Sequence, residues 1–181
     1  MTRDIAPDHI DVRAFADSAA TLERQQPLQS FPRLAAEAVD PGNVIVTWRA
    51  TGEMRASPGG TGVPWLELDA SASLPLVCQR CLGTVEVPLR SNRWFRFVAD
   101  EDTAALEDEA AEEDVLAESR DFDLRGLTED ELLMEIPVSP RHEVCPEPVV
   151  LAVQDPDFAE GEHAAPNPFA VLGKLRRGDA E

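Results

Sequence analysis

Leu66, Leu68, Ala70, Ala72, Leu74, Leu76 and Cys78 hold one phase of a two-residue alternation, and Glu67, Asp69, Ser71 and Ser73 hold the other. Successive side chains of a strand point to opposite faces, so this pattern predicts a long strand with one face buried. Val44, Val46, Trp48, Ala50 and Met54 alternate with Ile45, Thr47, Arg49 and Glu53 in the same way. A third run, Val85, Val87, Leu89, Phe95 and Phe97, keeps one phase, but Ser91 and Arg93 interrupt it, which predicts a bulge or an edge position there. Val115–Ser119 reads as a short fourth strand. The connections are short, as in the glycine-rich loop Ser57-Pro58-Gly59-Gly60-Thr61-Gly62. Short connections favour an antiparallel meander, since a parallel crossover needs about a dozen residues or more.

Elsewhere the period is helical or absent. Asp8 can cap a first helix whose apolar stripe is Val12, Phe15, Ala16, Ala19 and Leu22, stopping before Pro27. Ser30–Ala36 predicts a second, short helical turn, and Asp40-Pro41-Gly42-Asn43 is turn chemistry. Thr128 and Glu131 fit a capping box ahead of Leu132, Leu133 and Ile136, with Pro137 ending that helix. The tail from Asp155 is polar and proline-rich until Phe169, Leu172 and Leu175 line one side of a short basic amphipathic helix. The expected fold is α+β: an antiparallel sheet of about four strands with an N-terminal helix, one packed helix before Pro137 and an extended C-terminal tail. The expected divisions are a helical segment over 1–42, the sheet-and-helix core over 43–150, and the tail over 151–181.

Charge changes this picture in one place. The 181 residues carry a formal net charge of -19, and residues 100–114 hold nine carboxylates and no basic residue. With Leu106 its only large apolar side chain besides the alanines, that stretch predicts a mobile acidic loop, because it buries too little to offset its ordering entropy. An acidic surface repels phosphate backbones, so broad, sequence-independent nucleic-acid binding is disfavoured and a basic protein partner suits it better. No apolar run approaches the roughly 20 residues of a membrane span, and the polar start Met1-Thr2-Arg3-Asp4 does not resemble a secretory signal. Three cysteines, an odd number, argue against a disulfide framework. The expectation is a cytoplasmic protein with no membrane and no small-molecule substrate.

The candidate chemistry is concentrated in the cysteines. Cys78-Gln79-Arg80-Cys81 sits where one strand hands over to the next, and His142-Glu143-Val144-Cys145 repeats the two-residue spacing in a proline-bounded loop. Together Cys78, Cys81, His142 and Cys145 make a Cys3His set of the kind that holds structural zinc. Two other readings stand beside it. The thiols could be small apolar residues packed at a corner, or a redox pair whose thiol pKa is lowered by Arg80. Enzymatic motifs of the nucleophile-elbow, phosphate-loop or dinucleotide type are absent from the sequence, and no catalytic residue is expected. For contact with RNA or a partner, the candidates are Arg90, Arg93, Trp94 and Arg96 on the third strand, with Phe169, Leu172, Lys174, Arg176 and Arg177 in the tail. The competing reading makes Phe95 and Phe97 core residues and the arginines solvated edge charges.

The strings Leu76-Val77-Cys78-Gln79-Arg80-Cys81, Asp123-Leu124 through Ile136-Pro137, and Pro166-Asn167-Pro168-Phe169-Ala170-Val171-Leu172 resemble, in that order, the bacterial YceD family of large ribosomal RNA subunit accumulation proteins. The resemblance implies a non-enzymatic role in synthesis, processing or stability of 23S ribosomal RNA. It also implies partners in the large-subunit RNA, a pre-ribosomal particle or a basic ribosomal protein. Many relatives carry a denser cysteine cluster where this chain has His142 to Cys145.

Overall fold

The strand with the cleanest alternation is the middle of the sheet. In the computed structural model, which describes residues 9–57, 60, 62–147 and 169, β3 runs Val63–Val77. Leu66, Leu68, Ala70, Ala72, Leu74 and Leu76 are buried on one face, as the pattern requires. β2 (Ile45–Arg55) and β4 (Thr84–Val98) flank it, both antiparallel. The sheet has five strands in the order β1-β2-β3-β4-β5. Its first four form the expected meander. The fifth, β5 (Asp114–Ala117), lies parallel to β4 after a crossover through α3 (Glu101–Asp108), so the sheet is mixed.

β1 (Thr21–Pro27) pairs with β2 where the pattern predicted helix. The first helix, α1, is only Val12–Asp17. It ends because Ala19 turns into the left-handed region (φ 46°), after which Leu22 belongs to β1 rather than to the helical stripe. Asp11 caps α1, its carboxylate accepting the Ala14 N–H at 3.0 Å; Asp8 lies outside the described residues. A 3-10 turn (Leu28–Ser30) and α2 (Pro32–Glu37) follow β1. α4 (Leu124–Met134) starts four residues before the predicted capping box. Asp123 is its cap, accepting from the Gly126 N–H at 2.8 Å, and Thr128 is a buried interior residue bonded to the Leu124 carbonyl at 2.9 Å. The helices α1, α2 and α4 cover the buried face of the sheet, where Phe15, Leu34, Trp48, Phe95, Phe97, Leu124 and Leu132 meet. Among the described residues no helix is long and apolar enough to cross a membrane.

The acidic stretch is not a loop. Asp100 caps α3 through the Thr103 N–H at 2.8 Å, and Glu101 and Asp102 fill the first turn, where the helix dipole favours negative charge. Arg96 reaches out from β4 to Glu113 at 2.6 Å and to Glu107. Asp108 accepts the Val115 N–H at 3.0 Å. Caps, dipole and one guanidinium replace the apolar burial that the segment lacks; only Ala104 of α3 is buried.

No bulge breaks β4 against β3, whose pairing runs unbroken from Trp65↔Arg96 to Val77↔Thr84. The two polar residues in the buried phase have a partner instead. Glu131 of α4, 4% exposed, accepts from Ser91 Oγ at 2.8 Å and forms an ion pair with Arg93, whose Nε lies 3.1 Å away. A second buried carboxylate, Glu129, accepts the N–H groups of Arg33 at 2.7 Å and Leu34 at 3.1 Å, together with Arg33 Nε at 3.0 Å. It therefore caps α2 from another helix, satisfying donors that Phe31 at the N-cap position cannot.

Two substitutions test this packing. Glu129→Ala strands two backbone N–H groups in the interior and should cost about 2–3 kcal/mol, read as a fall of about 6 °C in thermal midpoint. Gly52→Ala places a Cβ 2.6 Å from Phe15 Cδ1 and 2.9 Å from the Ala16 Cα, so α1 must move away. The expected cost is about 1–3 kcal/mol from overpacking, checked by urea unfolding with the denaturant slope unchanged.

Candidate metal centre

β3 delivers Cys78 into the interior, fully buried, one residue past the last paired position. The corner that follows is a tight knuckle. The Cys78 N–H donates to the Gly83 carbonyl at 2.8 Å, and the Leu82 N–H donates to the Cys78 carbonyl at 2.9 Å. Leu82 takes the left-handed conformation (φ 61°) that lets the chain reverse into β4. Cys81 is left half-buried on the same side as Cys78.

The second half of the site arrives from α4. After Pro137 the chain runs to Pro140, whose carbonyl accepts the Gln79 N–H at 2.8 Å. Arg80 straps the rest down: its guanidinium donates to the carbonyls of His142 at 2.7 Å and Glu143 at 3.2 Å, and its Nε to Cys145 Sγ at 3.1 Å. His142 Nε2 lies 3.0 Å from the Thr84 carbonyl. A carbonyl only accepts, so Nε2 carries the proton and Nδ1 presents its lone pair, 3.5 Å from Cys81 Sγ. A hydrogen bond from the far ring nitrogen to a backbone carbonyl is the arrangement that orients a ligating imidazole.

The ligand atoms of Cys78, Cys81, His142 and Cys145 all lie within 4.8 Å of one another, and the set could hold a metal ion. The Cys78 thiol is electrostatically prepared for one. Burial pushes the Cys78 thiol up, but the backbone N–H groups of Cys81, His142 and Arg80 converge on it and bring it down to about 5. At Cys81 the Gly83 N–H pulls the other way from burial and from the neighbouring sulfurs of Cys145 and Cys78, and the net result is a raised pKa. Several sulfurs share one small volume, where a cation would relieve the crowding of negative charge. The redox reading fits less well. The paired thiols lie between strands, not at a helix N-terminus, and Arg80 sits against Cys145.

The candidate RNA-contacting residues are scattered. Arg90 is exposed on β4. Arg93 is engaged with Glu131 and with Asp114 at 3.4 Å, and Arg96 with Glu107 and Glu113. Trp94 stands on the opposite face of β4 from Phe95 and Phe97, which are core residues. Phe169 is an exposed turn residue, while Leu172, Lys174, Arg176, Arg177 and the predicted tail helix lie outside the described residues. The sequence reading passed over Trp65 and Arg55, which pack on Trp94. A large aromatic in the polar phase of β3 was the available signal.

Fold and site together define an α+β protein whose Cys-x-x-Cys strand corner is closed by a distant His-x-x-Cys segment. Residues 66–176, more than half of the chain, match the family described as "Large ribosomal RNA subunit accumulation protein YceD", and the chain belongs to that family. A relative in Haemophilus influenzae with the same description is 34% identical over 107 residues, covering 56% of this chain and 59% of the relative. The match thus spans less than two thirds of that relative's length. No solved structure matches the chain.

Proposed function

We propose that this chain is a non-enzymatic cytoplasmic factor in ribosome biogenesis that supports synthesis, processing or stability of 23S ribosomal RNA. The observation that carries this reading is the family match over residues 66–176, which takes in most of β3, all of β4, β5 and α4, the cysteine corner and the segment that closes it. The donor set agrees with a structural role. Four protein ligands would fill a tetrahedral ion and leave no open position for a substrate.

The metal in this reading is zinc, held by Cys78, Cys81, His142 and Cys145. With Zn–S bonds of about 2.3 Å, tetrahedral donors sit about 3.8 Å apart, within the 4.8 Å that bounds the separations of these four. The ion would staple the segment after α4 to the β3–β4 corner.

A second observation bears on how the factor makes contact. Arg93 and Arg96, the arginines best placed to hold phosphates, are neutralised by Glu131, Asp114, Glu107 and Glu113. That favours contact through a basic protein, such as a ribosomal protein, over contact through RNA on this strand. Arg90 and the tail residues Phe169, Leu172, Lys174, Arg176 and Arg177 remain the candidates for direct RNA contact.

Protein purified without chelator should contain one zinc per chain, and Cys81→Ser should lose it while lowering the thermal midpoint by about 5 °C or more. A metal-free wild-type preparation that does not take up added zinc rejects the site. For the cellular role, deleting the gene should lower 23S relative to 16S ribosomal RNA and shrink the large-subunit peak in sucrose gradients. Unchanged profiles would reject the biogenesis reading.

A further inference from the structure

The outward face of the sheet carries two indoles. Trp65 on β3 and Trp94 on β4 are half-buried, with ring centroids 6.4 Å apart and planes at 65°. Arg55, at the end of β2, lays its guanidinium 4.0 Å from the Trp65 centroid and 4.2 Å from that of Trp94. A cleft of about 430 Å³ opens at this point, and Glu112, Glu113 and Asp114 form its far wall. The slot between the rings has therefore already selected its chemistry: it holds a planar cation against two π-faces.

The cation it holds is the chain's own, and it is held lightly. Besides the rings, Arg55 has among the described residues only Glu53 at 3.2 Å as an ion-pair partner, an exposed pair of the kind worth little in water. The surroundings are short of positive charge. Arg93 and Arg96, the nearest arginines, are committed to Glu131, Asp114, Glu107 and Glu113. Glu112 is exposed beside the slot, and Glu67 and Asp69 continue along the outward phase of β3. No helix among α1, α2 and α4 reaches this face, since all three pack on the other.

We propose that this cleft receives an arginine or lysine side chain from a basic, extended segment of a partner protein, with Arg55 as the internal stand-in that the incoming cation displaces. The indole faces supply cation–π attraction, and Glu112 with the carboxylates along β3 supplies complementary charge for the flanking basic residues. RNA fits poorly, because its phosphates would approach these carboxylates while the arginines that line the cleft, Arg55 and Arg93, are taken up by the rings and by Glu131 and Asp114. The inference rests on the protein-contact reading given above and names the surface that makes the contact.

The test uses the purified full chain and a short fluorescein-labelled peptide of arginine and glycine residues, followed by anisotropy near physiological salt. A peptide with glutamate in place of arginine and a fluorescein-labelled oligouridine serve as probes of the other chemistries. The arginine peptide should bind saturably and the other two should not. Trp94→Ala should weaken binding about tenfold. Glu112→Lys, a change at an exposed residue that leaves the rings in place, should weaken it several-fold. Arg55→Ala should tighten binding, because the slot is vacated. Loss of affinity in Arg55→Ala, equal binding in both Trp94→Ala and Glu112→Lys, or preferential binding of oligouridine would overturn the proposal. Failure here with 23S levels still dependent on the gene removes only this surface. Peptide binding as described, with normal 23S levels in the deletion strain, removes only the biogenesis reading.

Discussion

The two-residue alternation of β3 sets the register of almost everything else. One face of that strand, from Leu66 to Leu76, is buried, and the strand is paired on both sides, to β2 and to β4. Slipping the pairing by one residue would turn every buried leucine toward water, so the core holds the register fixed. Cys78 follows in the same phase and inherits that precision. A thiol of a group that could hold a metal ion is thereby positioned by the hydrophobic core, without needing rigid geometry of its own.

The other half of the site is positioned by polar interactions. Glu129 and Glu131, two residues apart on α4, are both buried and turn to different partners. Glu129 caps α2, and Glu131 takes Ser91 and Arg93 of β4. Burying carboxylates is costly, and multiple charge-assisted hydrogen bonds are what offset it. What the arrangement gains is orientation: apolar packing of Leu132 alone would let α4 slide, whereas two directed carboxylates fix its azimuth and height. Because α4 leads through Pro137 and Pro140 to His142 and Cys145, its placement decides where the second half of the Cys3His group arrives. Arg80 and the Thr84 carbonyl then lock them locally.

How much of this could be read from the chain depends on where each element's information resides. β2, β3 and β4 were legible because one face of each is apolar at period two. The Cys3His grouping was legible because zinc-type spacing is local and occurs twice. β1 was not, since its inward positions are Leu22, Arg24 and Gln26, and Gln26 earns its place through a hydrogen bond from Trp48 Nε1 at 2.8 Å. Ser91 and Arg93 looked like defects in β4 until Glu131, about 40 residues away, supplied their partner. The same carboxylate misled the helix assignment, because Thr128-Glu129-Asp130-Glu131 has the spacing of a capping box while its acids serve tertiary contacts. The acidic stretch gained its helix from the Asp100 cap and the acidic first turn together with Arg96, a residue outside it. For Gln26, Ser91, Glu129 and Glu131 the deciding interaction is polar and reaches across the chain, and local pattern carries no trace of it.

The distribution of charge follows from the same principle. An excess of carboxylates this large would destabilise a compact chain by self-repulsion unless the few cations were used carefully. Arg13, Arg33, Arg93 and Arg96 each meet at least one carboxylate from a distant element, joining α1 to the segment after β5, α2 to α4, and β4 to α3 and β5. Arginines used in this way are structural clamps, and reading them as phosphate ligands counts their charge twice. Removing them from the list leaves an outward sheet face on which Glu53, Glu67, Asp69 and Glu86 outnumber Arg49, Arg55 and Arg90, with two indoles at one end. A surface of that composition has few cations to offer an interface. A contact made at the indoles is better served by cations from the other molecule, so the chemistry of the partner is more constrained by this fold than its own list of arginines suggests.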